Sequence, residues 1–258
     1  MHVRDLFDLS GEVAIVTGGS RGIGLQMATA LAEAGAALVL TARKQDELES
    51  AAARLRERGF RALPVVCNVT RAAEVESALA RTRAEYGRVD ILVNNAGATW
   101  GAPVVEMPLD AWRKVMETNV TGTFLMAQTV GRAMIDACRG GKIINIASIG
   151  GIVGADPRVM DAIGYSASKG AVIAFTRDLA VKLAPHRITV NAIAPGFFLT
   201  KMTRWLIEHQ EKAILDTIPM GRLGGEDDLK GAAVFLASRA SAFMTGQVLV
   251  VDGGATAW

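Results

Sequence analysis

Seven short apolar runs punctuate the chain, and most of the sequence between them carries helical patterning. The runs are VAIVTG (13–18), ALVLTAR (37–43), ALPVVCNV (62–69), VDILVNNAG (89–97), KIINIAS (142–148), ITVNAIAP (188–195) and QVLVVDGG (247–254). Most are continuously apolar rather than alternating, which is the pattern of strands buried on both faces. Such strands belong to parallel sheets, and parallel neighbours need a crossover long enough for a helix. The intervening GLQMATALAEAG and QDELESAAARLRERG meet that need. In the second, Leu48, Ala52 and Leu55 share one face and Gly59 follows as a stop signal. Repeated strand and helix predict an α/β fold: a parallel sheet, right-handed crossovers and helices on both faces. No internal repeat, low-complexity tract or Pro/Gly-rich linker interrupts the series, so residues 1–258 read as a single domain.

Composition removes several function classes. Apolar residues make up 50% and aromatics 5%, so the core is aliphatic. The 28 basic and 26 acidic residues leave a net charge of +2 and form no basic run, which argues against a nucleic-acid surface. Neither Cys67 nor Cys138 belongs to a Cys-x-x-Cys pair, and His2, His186 and His209 are scattered, so no metal site is expected. No apolar stretch reaches the roughly 18 residues of a membrane span, and the charged N-terminus does not resemble a signal sequence. A cytoplasmic protein is the expectation.

The first run ends in TGGSRGIG, Thr17 to Gly24, just before an amphipathic helix. Gly18 permits a tight turn, Gly22 and Gly24 permit close approach, and the helix start offers free N–H groups to a pyrophosphate. The spacing is G-x-x-x-G-x-G, not the G-x-G-x-x-G dinucleotide fingerprint, so position rather than pattern carries the nucleotide reading. A site for unphosphorylated ribose usually has a carboxylate about 20 residues further on. Here the second run ends Thr41-Ala42-Arg43-Lys44, with no acid before Asp46. A carboxylate would repel a 2′-phosphate, whereas the Arg43 guanidinium, helped by Arg21 within the glycine turn, is suited to grip one. NADP(H) is the cofactor this favours.

GYSASKG (164–170) places Tyr165 and Lys169 one helical turn apart, either as core packing or as an acid–base pair. Six motifs bear on that choice: TGGSRGIG, NNAG (94–97), TNVTGTF (118–124), Ser148, YSASK (165–169) and APG (194–196). In this order they resemble the short-chain dehydrogenase/reductase family over essentially the whole chain. VDILVNNAG, SASKGAV and VDGG read most like bacterial 3-oxoacyl-acyl-carrier-protein reductases and gluconate 5-dehydrogenase-like enzymes.

The resemblance implies a Rossmann-type doubly wound sheet of strand order 3-2-1-4-5-6-7, a homotetramer, and interconversion of a ketone and a secondary alcohol. Tyr165 would be the acid or base, Ser148 would bind the substrate oxygen, and Asn119 would anchor a water linking Lys169 to solvent. Lys169 would also hold the nicotinamide ribose and, as an ammonium, lower the phenol's usual pKa near 10. Implied cofactor contacts are Gly18, Ser20, Arg21, Gly22, Ile23 and Gly24 in the turn, and Arg43 at the 2′-phosphate. Asn68 and Val69 would meet the adenine, with the Asn68 amide oxygen taking the place of the family's common aspartate. Asn95, Ala96 and Gly97 would pass under the ribose, and Pro195, Gly196, Phe198 and Thr200 would close over the nicotinamide amide and phosphates.

Residues 149–164 and 197–225 break the alternation after a strand, where open sheets bind ligands, and read as a substrate loop and a lid. Ser148 and Tyr165 stand 17 residues apart, a longer interval than the family's common one, so a relative's substrate does not carry over directly. In the lid, Phe197, Phe198, Leu199, Met202, Trp205 and Leu206 suggest an apolar inner face that prefers bulky ketones or 3-oxoacyl thioesters to 5-ketogluconate. Lys201 and Arg204 point the other way, as possible holders of a carboxylate. A non-catalytic dinucleotide-binding regulator is the rival from another class, opposed by Asn119, Ser148, Tyr165 and Lys169 occurring together.

Overall fold

Within a strand, alternate residues leave on opposite faces, and here that alternation builds two separate cores. The strands are β1 (Val13–Thr17), β2 (Ala37–Ala42), β3 (Ala62–Val66), β4 (Ile91–Asn94), β5 (Gly141–Ile146), β6 (Ile188–Pro195) and β7 (Val248–Val251). The helices are α1 (Gly22–Glu33), α2 (Gln45–Glu57), α3 (Ala72–Tyr86), α4 (Leu109–Met116), α5 (Gly122–Ala137), α6 (Ile163–Leu183), α7 (Arg204–Leu215) and α8 (Lys230–Ala237). Ala14, Val16, Leu38 and Leu40 face Met27, Leu31, Leu48 and Leu236, so α1, α2 and α8 cover one side. Val13, Ile15, Val39 and Val65 face Val75, Met126, Val130 and Leu183, so α3, α5 and α6 cover the other.

The computed structural model describes residues 1–258. All seven strands lie parallel in one sheet, in the order β3-β2-β1-β4-β5-β6-β7. Strand order reverses between β1 and β4, and open α/β sheets bind ligands in the crevice at such a switch point.

Several strands stop before their apolar runs do. β3 ends at Val66, β4 at Asn94, β5 at Ile146 and β7 at Val251. Beyond β7 the Asp252 carboxylate accepts the N–H groups of Gly254 (2.9 Å) and Thr256 (2.8 Å), which turns the chain away from the sheet. The two excursions are partly structured. A 3-10 turn occupies Ile149–Gly151, and α7 fills the middle of the second segment, with a non-helical Gln210 at φ −138°. Val159 of the first excursion packs with Ile207, Ile214 and Ile218 of the second in a small core of their own. No helix is long and apolar enough to cross a membrane.

Candidate active site

The glycine turn is pinned to the end of β4. Thr17 Oγ1 accepts the N–H groups of Asn95 (2.9 Å) and Ala96 (3.0 Å), while the Asn95 amide donates to the carbonyls of Thr17 (2.9 Å) and Gly18 (3.2 Å). A Cβ on Gly24 would collide with the Asn95 side chain and fall 2.5 Å from the Gly18 oxygen. Gly18 and Gly22 hold φ of +64° and +55°, which L side chains rarely adopt. The helix that follows has no side-chain cap at Arg21, so its first N–H groups stay available to an anion.

Above the turn opens a cleft of about 510 Å³. It is lined by Gly18, Ser20, Arg21, Gly22, Ile23, Gly24, Arg43, Asn68, Val69, Asn95, Ala96, Gly97, Pro195, Gly196, Phe198 and Thr200, together with Ser148, Tyr165 and Lys169. Asn119 does not line it; the residue is buried behind the wall. Two of these side chains have partners of their own. Asn95 spends its NH₂ on the carbonyls of the glycine turn. The Asn68 oxygen already accepts Thr70 N–H (3.2 Å) and Oγ1–H (3.1 Å). That leaves its NH₂ free, a donor, where an adenine amino group needs an acceptor.

Ser148, Tyr165 and Lys169 meet where β5 ends against α6. Ser148 is extended at the start of the 3-10 turn and its Oγ accepts Gly150 N–H at 3.2 Å, so its own proton remains to be donated. Tyr165 and Lys169 share a helix face, with Lys169 Nζ 5.6 Å from the phenol ring centroid. Nζ donates to the Ile146 carbonyl at 2.6 Å, and burial without a carboxylate partner lowers its pKa to about 8. Burial raises the Tyr165 pKa, and the Ser148 hydroxyl opposes it only in part. The expected lowering of the phenol by the lysine does not outweigh burial here, because the ammonium addresses Ile146 and the ring rather than the phenol oxygen.

Asn119 lies in a π-helical stretch (Glu117–Thr121) between α4 and α5. Its amide oxygen accepts Ala98 N–H (2.7 Å), and its NH₂ donates to the Ala98 carbonyl (2.9 Å) and to Ser168 Oγ (2.8 Å). Ser168 Oγ in turn donates to the Tyr165 carbonyl at 2.7 Å. The side chain has both amide protons committed, so it braces the loop after β4 and the Tyr165 turn of α6 from behind.

The cleft's polar end holds residues that the sequence did not single out for the cofactor. Lys44, Glu47 and Lys201 line it beside Arg21 and Arg43. Burial opposes charge on Glu47, but the hydrogen bond from Lys44 and the nearby Arg21, Lys44 and Lys201 charges outweigh it and hold the carboxyl below its usual range. Asp46 comes first in sequence but does not line the cleft; the α2 register presents Glu47 instead.

The lid's apolar stripe does not form one inner face. Trp205 is 65% exposed and stacks on His209, with centroids 4.5 Å apart. Leu206 and Phe197 pack on the small core under α7, and Leu199 is exposed. Phe198 is buried against Gly224 where it borders the cleft, and Met202 lines the cleft among Thr200, Lys201 and Thr203. Lys201 turns to Glu47, and Arg204 is exposed on the first turn of α7 without an ion pair.

Residues 18–256 match the protein-family model described as enoyl-(acyl carrier protein) reductase. The chain is 43% identical over 254 residues to gluconate 5-dehydrogenase of Gluconobacter oxydans, covering 98% of this chain and 97% of that one. It is 40% identical over 247 residues to a 3-oxoacyl-acyl-carrier-protein reductase of Escherichia coli, covering 96% and 98%. Its backbone superposes on a Burkholderia cenocepacia gluconate 5-dehydrogenase, solved with NADP and tartrate, with a TM-score of 0.93 at 41% identity over 100% of both chains.

Proposed function

The chain belongs to the short-chain dehydrogenase/reductase family, and from that premise we propose that it interconverts a ketone and a secondary alcohol with NADP(H). One observation carries the reading: Ser148, Tyr165 and Lys169 converge in the same cleft as the glycine turn. The fit to a dinucleotide rests on the cradle, where left-handed Gly18 and Gly22 and the close approach at Gly24 keep the turn tight and the α1 N–H groups lie open. Arg21 and Arg43 would take the 2′-phosphate, the glycine turn the pyrophosphate, and Lys169 the nicotinamide ribose.

When bound, the cofactor supplies a hydride to the carbonyl carbon; the remaining steps belong to this chain. Ser148 turns its hydroxyl proton from the phenol to the substrate oxygen as a hydrogen bond and holds that oxygen near Tyr165. Tyr165 stays protonated at neutral pH and gives its proton to that oxygen as charge develops there. Lys169, still an ammonium below about pH 8, stabilises the phenolate left behind. Asn119 keeps the Tyr165 turn in place.

For the substrate, a keto sugar acid is the first reading, supported by the gluconate 5-dehydrogenase relatives and by the dispersal of the apolar stripe in the lid. A 3-oxoacyl thioester is the second, favoured by exposed Trp100, Ile152 and Val153 on the loops that leave Thr99 and Ser148. The family expectation of a homotetramer completes the proposal. The test compares kcat/KM for 5-ketogluconate, a 3-oxoacyl thioester and a bulky apolar ketone, each with NADPH and NADH. A lead for 5-ketogluconate supports the first reading, and equal use of both nucleotides refutes the NADP(H) assignment.

A further inference from the structure

Glu47 lines the end of the cleft where the NADP(H) reading puts the cofactor's 2′-phosphate, and Arg21, one of the two cations assigned to that phosphate, holds it there with two lysines. Arg21 Nη1 lies 2.5 Å from Oε2, Lys44 Nζ 3.3 Å and Lys201 Nζ 4.0 Å from Oε1. These partners come from three places: the glycine turn, the entry to α2 and the lid. Arg43 lines the same end without an ion pair of its own. Four cations gathered here would repel one another without an anion among them, and Glu47 supplies one negative charge. Its side chain is 33% exposed, so the carboxylate has room to rotate into solvent.

We propose that Glu47 is a built-in stand-in for the 2′-phosphate, which assembles the cation cluster in the free protein and yields its place when the phosphate arrives. A phosphate monoester carries about −1.5 to −2 at neutral pH, so it satisfies the cluster better than one carboxylate does. It also meets repulsion from that carboxylate until the side chain moves. Glu47 therefore sets the margin by which the phosphorylated dinucleotide is preferred, and it keeps that margin below what the cations alone would give. The same contact ties Lys201 of the lid to α2 and releases it on binding. This inference rests on the NADP(H) reading and specifies one residue's part in it.

Calorimetry with adenosine 2′,5′-bisphosphate and adenosine 5′-monophosphate tests it without turnover, because the two probes differ only in the 2′-phosphate. Glu47→Gln keeps the shape of the side chain and removes its charge. It is expected to bind the bisphosphate on the order of tenfold more tightly than the wild type at about 0.1 M salt. That gain should shrink at about 1 M salt, where the screening length falls to about 3 Å, and the monophosphate should bind both proteins equally. Unchanged or weaker bisphosphate binding by Glu47→Gln overturns the proposal, since it would make Glu47 an orienting partner of Arg21. The two failures are distinguishable. A wild type that does not separate the probes removes the NADP(H) reading and the stand-in together. A wild type that separates them, with no gain in the variant, leaves the cofactor reading intact and removes only the role of Glu47.

Discussion

Tyr165 is harder to ionise in this cleft than in water, because burial outweighs the Ser148 hydroxyl. A protonated phenol is what the proposed carbonyl reduction needs, and in that mechanism Lys169 matters most after the proton has left. Tyr165→Phe is expected to lower kcat for ketone reduction roughly 10²–10⁴-fold while leaving NADPH affinity, measured by nucleotide fluorescence, nearly unchanged. A variant with normal kcat would refute the mechanism. Lys169→Ala should damage both quantities. The wild-type reduction rate should be level below about pH 8 and fall above it, as Nζ, whose pKa is lowered to about 8, loses its charge. That alkaline limb should be missing from Lys169→Ala. At this scale the sequence spoke through residues adjacent to a recognisable turn or strand end. It was silent on Glu47, because a scan for the first acid after β2 stops at Asp46 and ignores which way the opening turn of α2 faces. It also did not show that Asn68 and Asn119 spend their amides on Thr70 and Ala98, since hydrogen-bond partners depend on packing.

Elements reached the same answer by a route that sequence shows better. Continuous apolar runs of four to eight residues suit strands buried on both faces, and helical segments between them supply the crossovers. The order of strands, by contrast, followed from family resemblance, because periodicity does not say which strand lies beside which. The lid shows the other limit. Six apolar residues within ten positions looked like one stripe, but the chain is not a regular helix until Arg204, so Phe198 and Trp205 point to different places. A contact between elements that leaves little trace in sequence is the approach of the 3-10 turn after Ser148 to α6. A Cβ on Gly151 would lie 2.5 Å from the Lys169 carbonyl carbon and 2.7 Å from the Gly170 nitrogen. Backbone cannot yield as a flexible side chain does, so Gly151→Ala must separate the turn from the helix. The two elements carry Ser148 on one side and Tyr165 and Lys169 on the other. The variant is expected to lose about 1–3 kcal/mol of stability and on the order of 10²-fold in kcat from misplacement of about 1 Å. Retained kcat in a folded variant would show that Ser148 need not be held this closely.

At the scale of the whole molecule, an apolar edge strand and a buried charge stand out. β7 lies at the edge with Val250 partly exposed, and an uncovered apolar edge strand invites pairing with another chain; this agrees with the proposed homotetramer. The charge is Lys142, at the start of the interior strand β5. Its Nζ has the Ser241 hydroxyl at 3.4 Å and no carboxylate within ion-pair distance, and burial lowers its pKa to about 8. An unfolded chain holds this proton up to about pH 10.4. Below pH 8 the lysine is charged in both states, and the folded state bears the full cost of burying it. Between about pH 8 and 10.4 the native protein has released the proton while the unfolded chain keeps it, so raising the pH relieves the cost. Lys169 shifts in the same direction, which makes a difference measurement necessary to isolate Lys142. Lys142→Met, which keeps an unbranched chain of similar length, should be more stable than the wild type at pH 7. The gain should be on the order of 1 kcal/mol, since Lys142 is only partly buried and solvent screens part of its charge. For a chain of this size that is a rise of roughly 2–4 °C in melting midpoint. The gap between the two proteins should then narrow as pH approaches 10, because the neutral amine no longer opposes burial. A gap that stays constant from pH 7 to 10 would assign the gain to packing and show that the charge at β5 is already well solvated.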